Sequence, residues 1–223
     1  MALDRGLDSR VLTLALARMV DSVANSFLVV VLPLYIGRAV ALPAFVGSVV
    51  AVGPLSFRLT EALLIGVVLS LFGFLNSLGQ PFTGRLSDRT GRRTVYLLLG
   101  LALVALGSLG FLFRADYVSV LVLRGLQGVG AAFTVPMTVA LVNDYATSNE
   151  ERGGNFGVFN TFRLIGFGFG PIVAGAVVTG GFGNERVVTY DVFGTMVSGF
   201  DAAFSIAVLG AVVSFGLVSL LVT

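Results

Sequence analysis

GRLSDRTGRR, residues Gly84–Arg93, sets four arginines and one aspartate in a glycine-punctuated stretch between two long apolar runs. Crossing a bilayer takes roughly 20 mostly apolar residues, and both flanking runs are long enough. A short basic connection between two spans stays on the cytoplasmic side, because arginines near span ends resist translocation. The stretch therefore orients the chain around it.

Composition agrees. Residues are 56% hydrophobic and 12% charged, with a mean hydropathy of +0.98. A soluble domain carries about 25% charged residues. All 14 basic residues are arginine, and they cluster at the ends of apolar runs. That pattern fits anchoring at the membrane surface rather than a nucleic-acid face, so lipid and not nucleic acid is the expected partner. Histidine, cysteine and tryptophan are absent. Cys/His metal sites, thiol or histidine catalysis and disulfides are thereby excluded. The glycines lie in apolar segments, not at a strand-to-helix phosphate loop. Neither an enzyme nor a cofactor is expected.

Six segments qualify as spans: about Val11–Tyr35, Ala62–Phe82, Thr94–Phe113, Val118–Val142, Phe156–Val178 and Ala202–Val222. The first is too long for a signal-peptide core and reads as a retained helix. Arg38–Arg58 encloses a further uncharged run broken by Pro43, Gly47, Gly53 and Pro54. Charge parity decides its reading. With six spans, Arg5, Arg10, Arg18, Arg85, Arg89, Arg92, Arg93 and Arg152 share the cytoplasmic side, and Arg38, Arg58, Arg114 and Arg186 face outward. A seventh span would set the amino-terminal cluster opposite residues 85–93. Residues 38–58 are therefore expected as an apolar external loop, in or near the interface. Residues 114–117 read as a tight turn, and residues 179–201 as a small hairpin or an irregular loop. The chain ends at Thr223, directly after the sixth span, which favours a fragment.

Residues 84–93 resemble the cytoplasmic-loop signature of the major facilitator superfamily, with Gly84, Leu86, Asp88, Arg89, Gly91, Arg92 and Arg93 all matching. Physically, Gly84 suits a close helix approach and Gly91 a left-handed turn. The resemblance implies that Asp88 contacts a helix of a second six-helix half. It also implies that Arg92 pairs with an acid ending the fourth span, where Asp144 stands. A second match lies in the fourth span, where Arg124, Gln127, Gly128 and Gly130 resemble the family's Arg-x-x-Gln-Gly-x-Gly pattern. Gly157, Gly166, Gly170, Pro171 and Gly175 resemble the fifth-span motif of drug/proton antiporters, with Ala174 replacing one glycine. Sugar porters lack that element, which disfavours a sugar or metabolite porter. The implied fold is an all-α membrane protein, six transmembrane helices as two inverted three-helix repeats, about 11–114 and 118–222.

Charges within the spans are candidates for function by default. Asp21 lies about 15 Å into the first span, with Arg18 and Asn25 on its helical face. Arg124 lies about 10 Å into the fourth span, and Arg163 lies midway in the fifth. Asp21 and Arg124 are expected to face one central cavity as a proton-sensitive pair; a fixed Arg18–Asp21 pair is the alternative. For Arg124 the alternative is a structural arginine on backbone carbonyls. The functional expectation is the N-terminal half of a proton-coupled exporter of hydrophobic, drug-like molecules, multi-pass in the plasma membrane with a cytoplasmic N-terminus. Its partners would be protons, a small-molecule substrate and a second six-helix half. A truncated, non-transporting six-helix protein and a half that works only as a dimer stay open.

Overall fold

The computed structural model describes residues 8–113, 116–181 and 186–222. Arg5, Arg114 and part of the turn at 114–117 lie outside these residues, as do residues 182–185 of the second long connection. Six helices carry the fold: α1 (Ser9–Ala39), α2 (Glu61–Thr90), α3 (Arg93–Gly110), α4 (Tyr117–Asp144), α5 (Asn149–Thr179) and α6 (Gly199–Leu221). Each is long and apolar enough to cross a membrane.

Side-chain caps set where most of them begin. The Asp8 carboxylate accepts the Arg10 amide at 2.8 Å, and Asp116 accepts that of Ser119 at 2.8 Å. Thr60, Ser148 and Ser198 cap α2, α5 and α6 in the same way. Such caps satisfy amides that would otherwise be orphaned at a helix start. The Ser119 amide holds the Asp116 carboxyl below the usual carboxylate range. Gly91, at φ +67°, closes α2 in the left-handed conformation and donates its N–H to the Ser87 carbonyl.

Residues 38–58, expected as an apolar external loop, hold a hairpin. Arg38 and Ala39 complete α1, and β1 (Val49–Val52) pairs antiparallel with β2 (Leu55–Arg58). Gly53, at φ +60°, and Pro54 form the two-residue turn. These glycines and prolines, taken as helix breakers, are hairpin punctuation between β-prone runs. The second long connection takes its hairpin form: β3 (Thr189–Val192) pairs with β4 (Thr195–Ser198). Phe193 and Gly194 both have positive φ, as a primed turn requires.

Helix packing has an internal exchange symmetry. α1 packs mainly on α5 and α6, α4 mainly on α2 and α3, and α3 meets α6. Exchanging α1 with α4, α2 with α5 and α3 with α6 maps each of these contacts onto another of the set. Small residues bring the paired helices together. A Cβ at Gly170 would meet the Val23 carbonyl at 2.7 Å and collide with the Ser26 hydroxyl, so α5 lies almost on the α1 backbone. In the matching seam, a Cβ at Gly128 would lie 2.8 Å from the Phe72 carbonyl. Close approach of this kind substitutes for a hydrophobic driving force between helices in lipid.

The core is divided in two. Near the hairpins, Phe27, Tyr35, Phe111, Phe200 and Phe204 form an aromatic plug, with Phe111 stacked on Phe204 at 5.0 Å. Near the arginine-rich end, Leu14, Leu97, Leu101, Met137, Leu141 and Val218 form another. Polar side chains fill the space between them.

Candidate functional site

α1 brings three of these side chains together on one face. Arg18 Nη1 donates to Asp21 Oδ2 at 2.6 Å, one helical turn apart. Both side chains are largely shielded, at 16% and 14% exposure. Asn25 continues the same face, and its Oδ1 is buried without a hydrogen-bond partner among the described residues.

α4 supplies the opposing wall. Arg124 is 2% exposed. Its Nη1 donates to Gln127 Oε1 at 3.0 Å, Gln127 Nε2 donates to Ser108 Oγ at 3.0 Å, and Ser108 donates to the Val104 carbonyl at 2.9 Å. The guanidinium lies over the Phe72 ring at 4.2 Å, a cation–π contact. Its Nε is buried and bonds to nothing among the described residues.

These residues enclose a cavity of about 50 Å³, lined by Asp21, Asn25, Phe72, Asn76, Arg124 and Gln127 among others. That is room for one or two waters. Arg18 and Val135 also line a neighbouring cavity of about 480 Å³, bounded by Phe156, Gly157, Asn160 and Arg163. Asp21 and Arg124 thus share a cavity but are not an ion pair. Asp21 is taken by Arg18, a turn away on its own helix and within reach without any backbone movement. Arg163, which has no carboxylate partner among the described residues, donates Nε–H to Asn160 Oδ1 at 3.1 Å.

At the arginine-rich end, Arg93 and not Arg92 meets Asp144. Arg93 bonds Asp144 through Nη1, donates to the Ala140 carbonyl at 3.3 Å and approaches Asp88 at 3.5 Å. Arg92 is the non-helical cap of α3, whereas Arg93 opens the helix and reaches the last turn of α4. Asp88 remains mostly exposed, as does Arg89. Gly84, expected at a close helix approach, has open space where a Cβ would stand.

The fifth-span motif divides by position. Gly166 and Gly170 form the seam with α1, Gly157 borders the larger cavity, and Gly175 faces open space. Pro171 sits within the helix. Phe72, Asn76, Ser108 and Asn160 were not among the sequence candidates. The two asparagines, polar within apolar spans, were visible signals; Phe72 and Ser108 carried none.

The Major Facilitator Superfamily model matches residues 14–223. The chain belongs to this superfamily. It is thus a multi-pass membrane protein of a transporter family rather than an enzyme. Citrate exporter 1 of Aspergillus niger is 31% identical over 110 residues, covering 49% of this chain and 20% of that protein. The vesicular acetylcholine transporter of Torpedo marmorata is 33% identical over 114 residues, covering 51% and 21%. The peptide transporter POT, solved in complex with sulfate, superposes with a TM-score of 0.69 over 96% of this chain and 38% of that one. At 17% identity that likeness is one of fold alone. The bundle corresponds to one six-helix half, and the chain spans well under two thirds of these proteins.

Proposed function

We propose that the chain is the N-terminal half of a secondary active transporter that exports hydrophobic, drug-like organic molecules across the plasma membrane in exchange for protons, with its N-terminus in the cytoplasm. The observation that carries this reading is the Arg18–Asp21 pair set in the wall of a polar mid-bundle cavity. Protonating Asp21 removes the charge that holds Arg18. Arg18 lines both cavities, so its release couples proton binding to the shape of the path between them. The charged groups facing Asp21 are Arg18 and, across the cavity, Arg124; α4 adds Gln127, Thr134 and Thr138, α2 adds Asn76, α3 adds Ser108 beside Leu97, Leu101 and Val104, and α6 adds Val218.

The named cargoes of the relatives, citrate and acetylcholine, are small organic ions, which supports a small organic solute here. The fifth-span glycine pattern supports export. A second six-helix body is part of the proposal. α2 and α5 are the least buried helices and present Phe74, Leu78, Phe82, Phe167, Phe169 and Ile172 outward. Such a body would close a cavity that this half leaves small. It would be a continuation of this polypeptide, another chain or a second copy of this one.

The test is dye transport in inverted membrane vesicles from cells making the chain, alone and with a second six-helix half. Energised vesicles should accumulate dye, and Asp21→Asn should lose accumulation driven by a proton gradient while keeping dye exchange. Unchanged gradient-driven transport in Asp21→Asn would overturn the coupling. Absence of transport under every condition would overturn the transporter reading in favour of a non-transporting bundle.

A further inference from the structure

Arg18 and Val135 stand in the walls of both cavities, and a path from one to the other would pass between them. Charge along it is unbalanced. Arg163, Arg18 and Arg124 contribute three guanidinium groups, and Asp21 contributes the one carboxylate. That carboxylate is already bonded to Arg18 at 2.6 Å. Arg163 is held by an amide oxygen, and Arg124 by an amide oxygen and an aromatic face. The path therefore carries two cations without a carboxylate.

Arg124 is the more consequential of the two. It is 2% exposed, in the middle of a helix bundle, with its Nε unbonded. A buried charge without a counter-ion is costly in surroundings of low dielectric, and an anion placed beside it relieves that cost. A cation arriving there meets repulsion, strengthened by the same low dielectric. A neutral solute recovers only a hydrogen bond. The rest of the inner wall mixes apolar side chains, Leu28, Phe72 and Val104 among them, with the uncharged polar groups of Asn25, Asn76, Ser108 and Gln127.

We propose that this path admits organic anions, and that Arg124 holds the substrate's carboxylate, a group that fits the room of about 50 Å³ beside it, while the rest of the substrate extends out of that cavity. The proposal rests on the transporter reading and names its substrate class. Asn25 refines it. Its buried, unpartnered Oδ1 lines the same cavity and accepts a donor, so a hydroxyl or N–H next to the carboxylate adds a second bond.

Benzoate, benzamide and benzylammonium share one apolar body and differ in charge. Equilibrium dialysis of the radiolabelled compounds against the full chain in lipid nanodiscs, with empty nanodiscs subtracted, reads binding directly. Benzoate should bind at least about tenfold more tightly than benzamide, and benzylammonium most weakly. Arg124→Gln should abolish the preference for benzoate, and Arg124→Lys should retain part of it. Equal or tighter binding of benzylammonium, or an unchanged benzoate preference in Arg124→Gln, would overturn the proposal. Should the variants fail to fold, the order of the three compounds on the unaltered chain still decides it. Vesicle transport separates the two readings: transport of cationic dyes without carboxylate binding sinks this inference alone, while Arg124-dependent benzoate binding without any transport sinks the transporter reading alone.

Discussion

Two arginine sites in this bundle are built on opposite principles. At the arginine-rich end, Arg93 sits partly in solvent between two carboxylates, Asp144 and Asp88, and ties the start of α3 to the end of α4. At mid-bundle, Arg124 is almost wholly buried and has an amide and a ring for company, with no carboxylate. Desolvation is mild at the first site and severe at the second, yet the carboxylates are at the first. If Arg124 existed only to hold helices together, the reverse arrangement would serve better. The Arg18–Asp21 pair shows that the interior can host a matched ion pair. Arg93 and Arg18 are thus matched by carboxylates, whereas Arg124, the most buried of the three, is not.

The largest effect expected from this contrast is at the interior pair. Asp21→Ala leaves Arg18 shielded and unmatched, and the unfolding free energy should fall by about 3 kcal/mol. Replacing both residues with leucine should recover most of that loss, because two apolar side chains leave no stranded charge. Unfolding in bicelles of the single and double variants measures both. A double variant as unstable as Asp21→Ala would mean that the pair does more than neutralise itself.

The interior pair stood in the sequence only as the alternative to an Asp21–Arg124 pair, although three-residue spacing on one helix brings two side chains together whatever the fold around them. The six spans were legible because hydropathy over a bilayer's length has few other causes. Arg124 stood out as a charge within an apolar run, but its ring partner did not. Phe72 lies on α2 and reaches Arg124 only because Gly128 lets α4 lie against the α2 backbone. The hairpin at 49–58 was hidden by a different ambiguity. Gly53 and Pro54 interrupt a helix and also turn a hairpin, and the apolar residues around them fit a span as readily as two strands. Arg92 and Arg93 are adjacent, so spacing alone could not say which would point at α4; the cap geometry of α3 decided it.

Next in size, and opposite in sign, is Arg124→Leu. Removing a buried cation that lacks a carboxylate should leave the bundle as stable as before or more stable, by up to about 1 kcal/mol. Gln127 keeps its bond to Ser108 in that variant, so the α3–α4 contact has no reason to open. Chemical unfolding in the same bicelles gives the value. A loss of the size expected for Asp21→Ala would make Arg124 a structural residue after all and dissolve the contrast between the two sites.

The smallest effect sharpens the other side. Arg93→Ala should cost about 0.5–1 kcal/mol, the range for partly exposed ion pairs, and Arg92→Ala should cost nothing measurable. Because solvent reaches the Arg93 cluster, its contribution should shrink as salt is raised from 0.05 to 0.5 M, roughly the range over which the Debye length drops well below 10 Å. Exchanging the charges, Arg93→Asp with Asp144→Arg, should restore part of the stability lost in either single variant. That rescue separates a true ion pair from two residues that pack side by side. If Arg92→Ala were the more damaging of the two, the latch would run through the α3 cap rather than the first helical residue. The exposed arginine would then be as unmatched as the buried one, and pairing would no longer distinguish the two ends of this bundle.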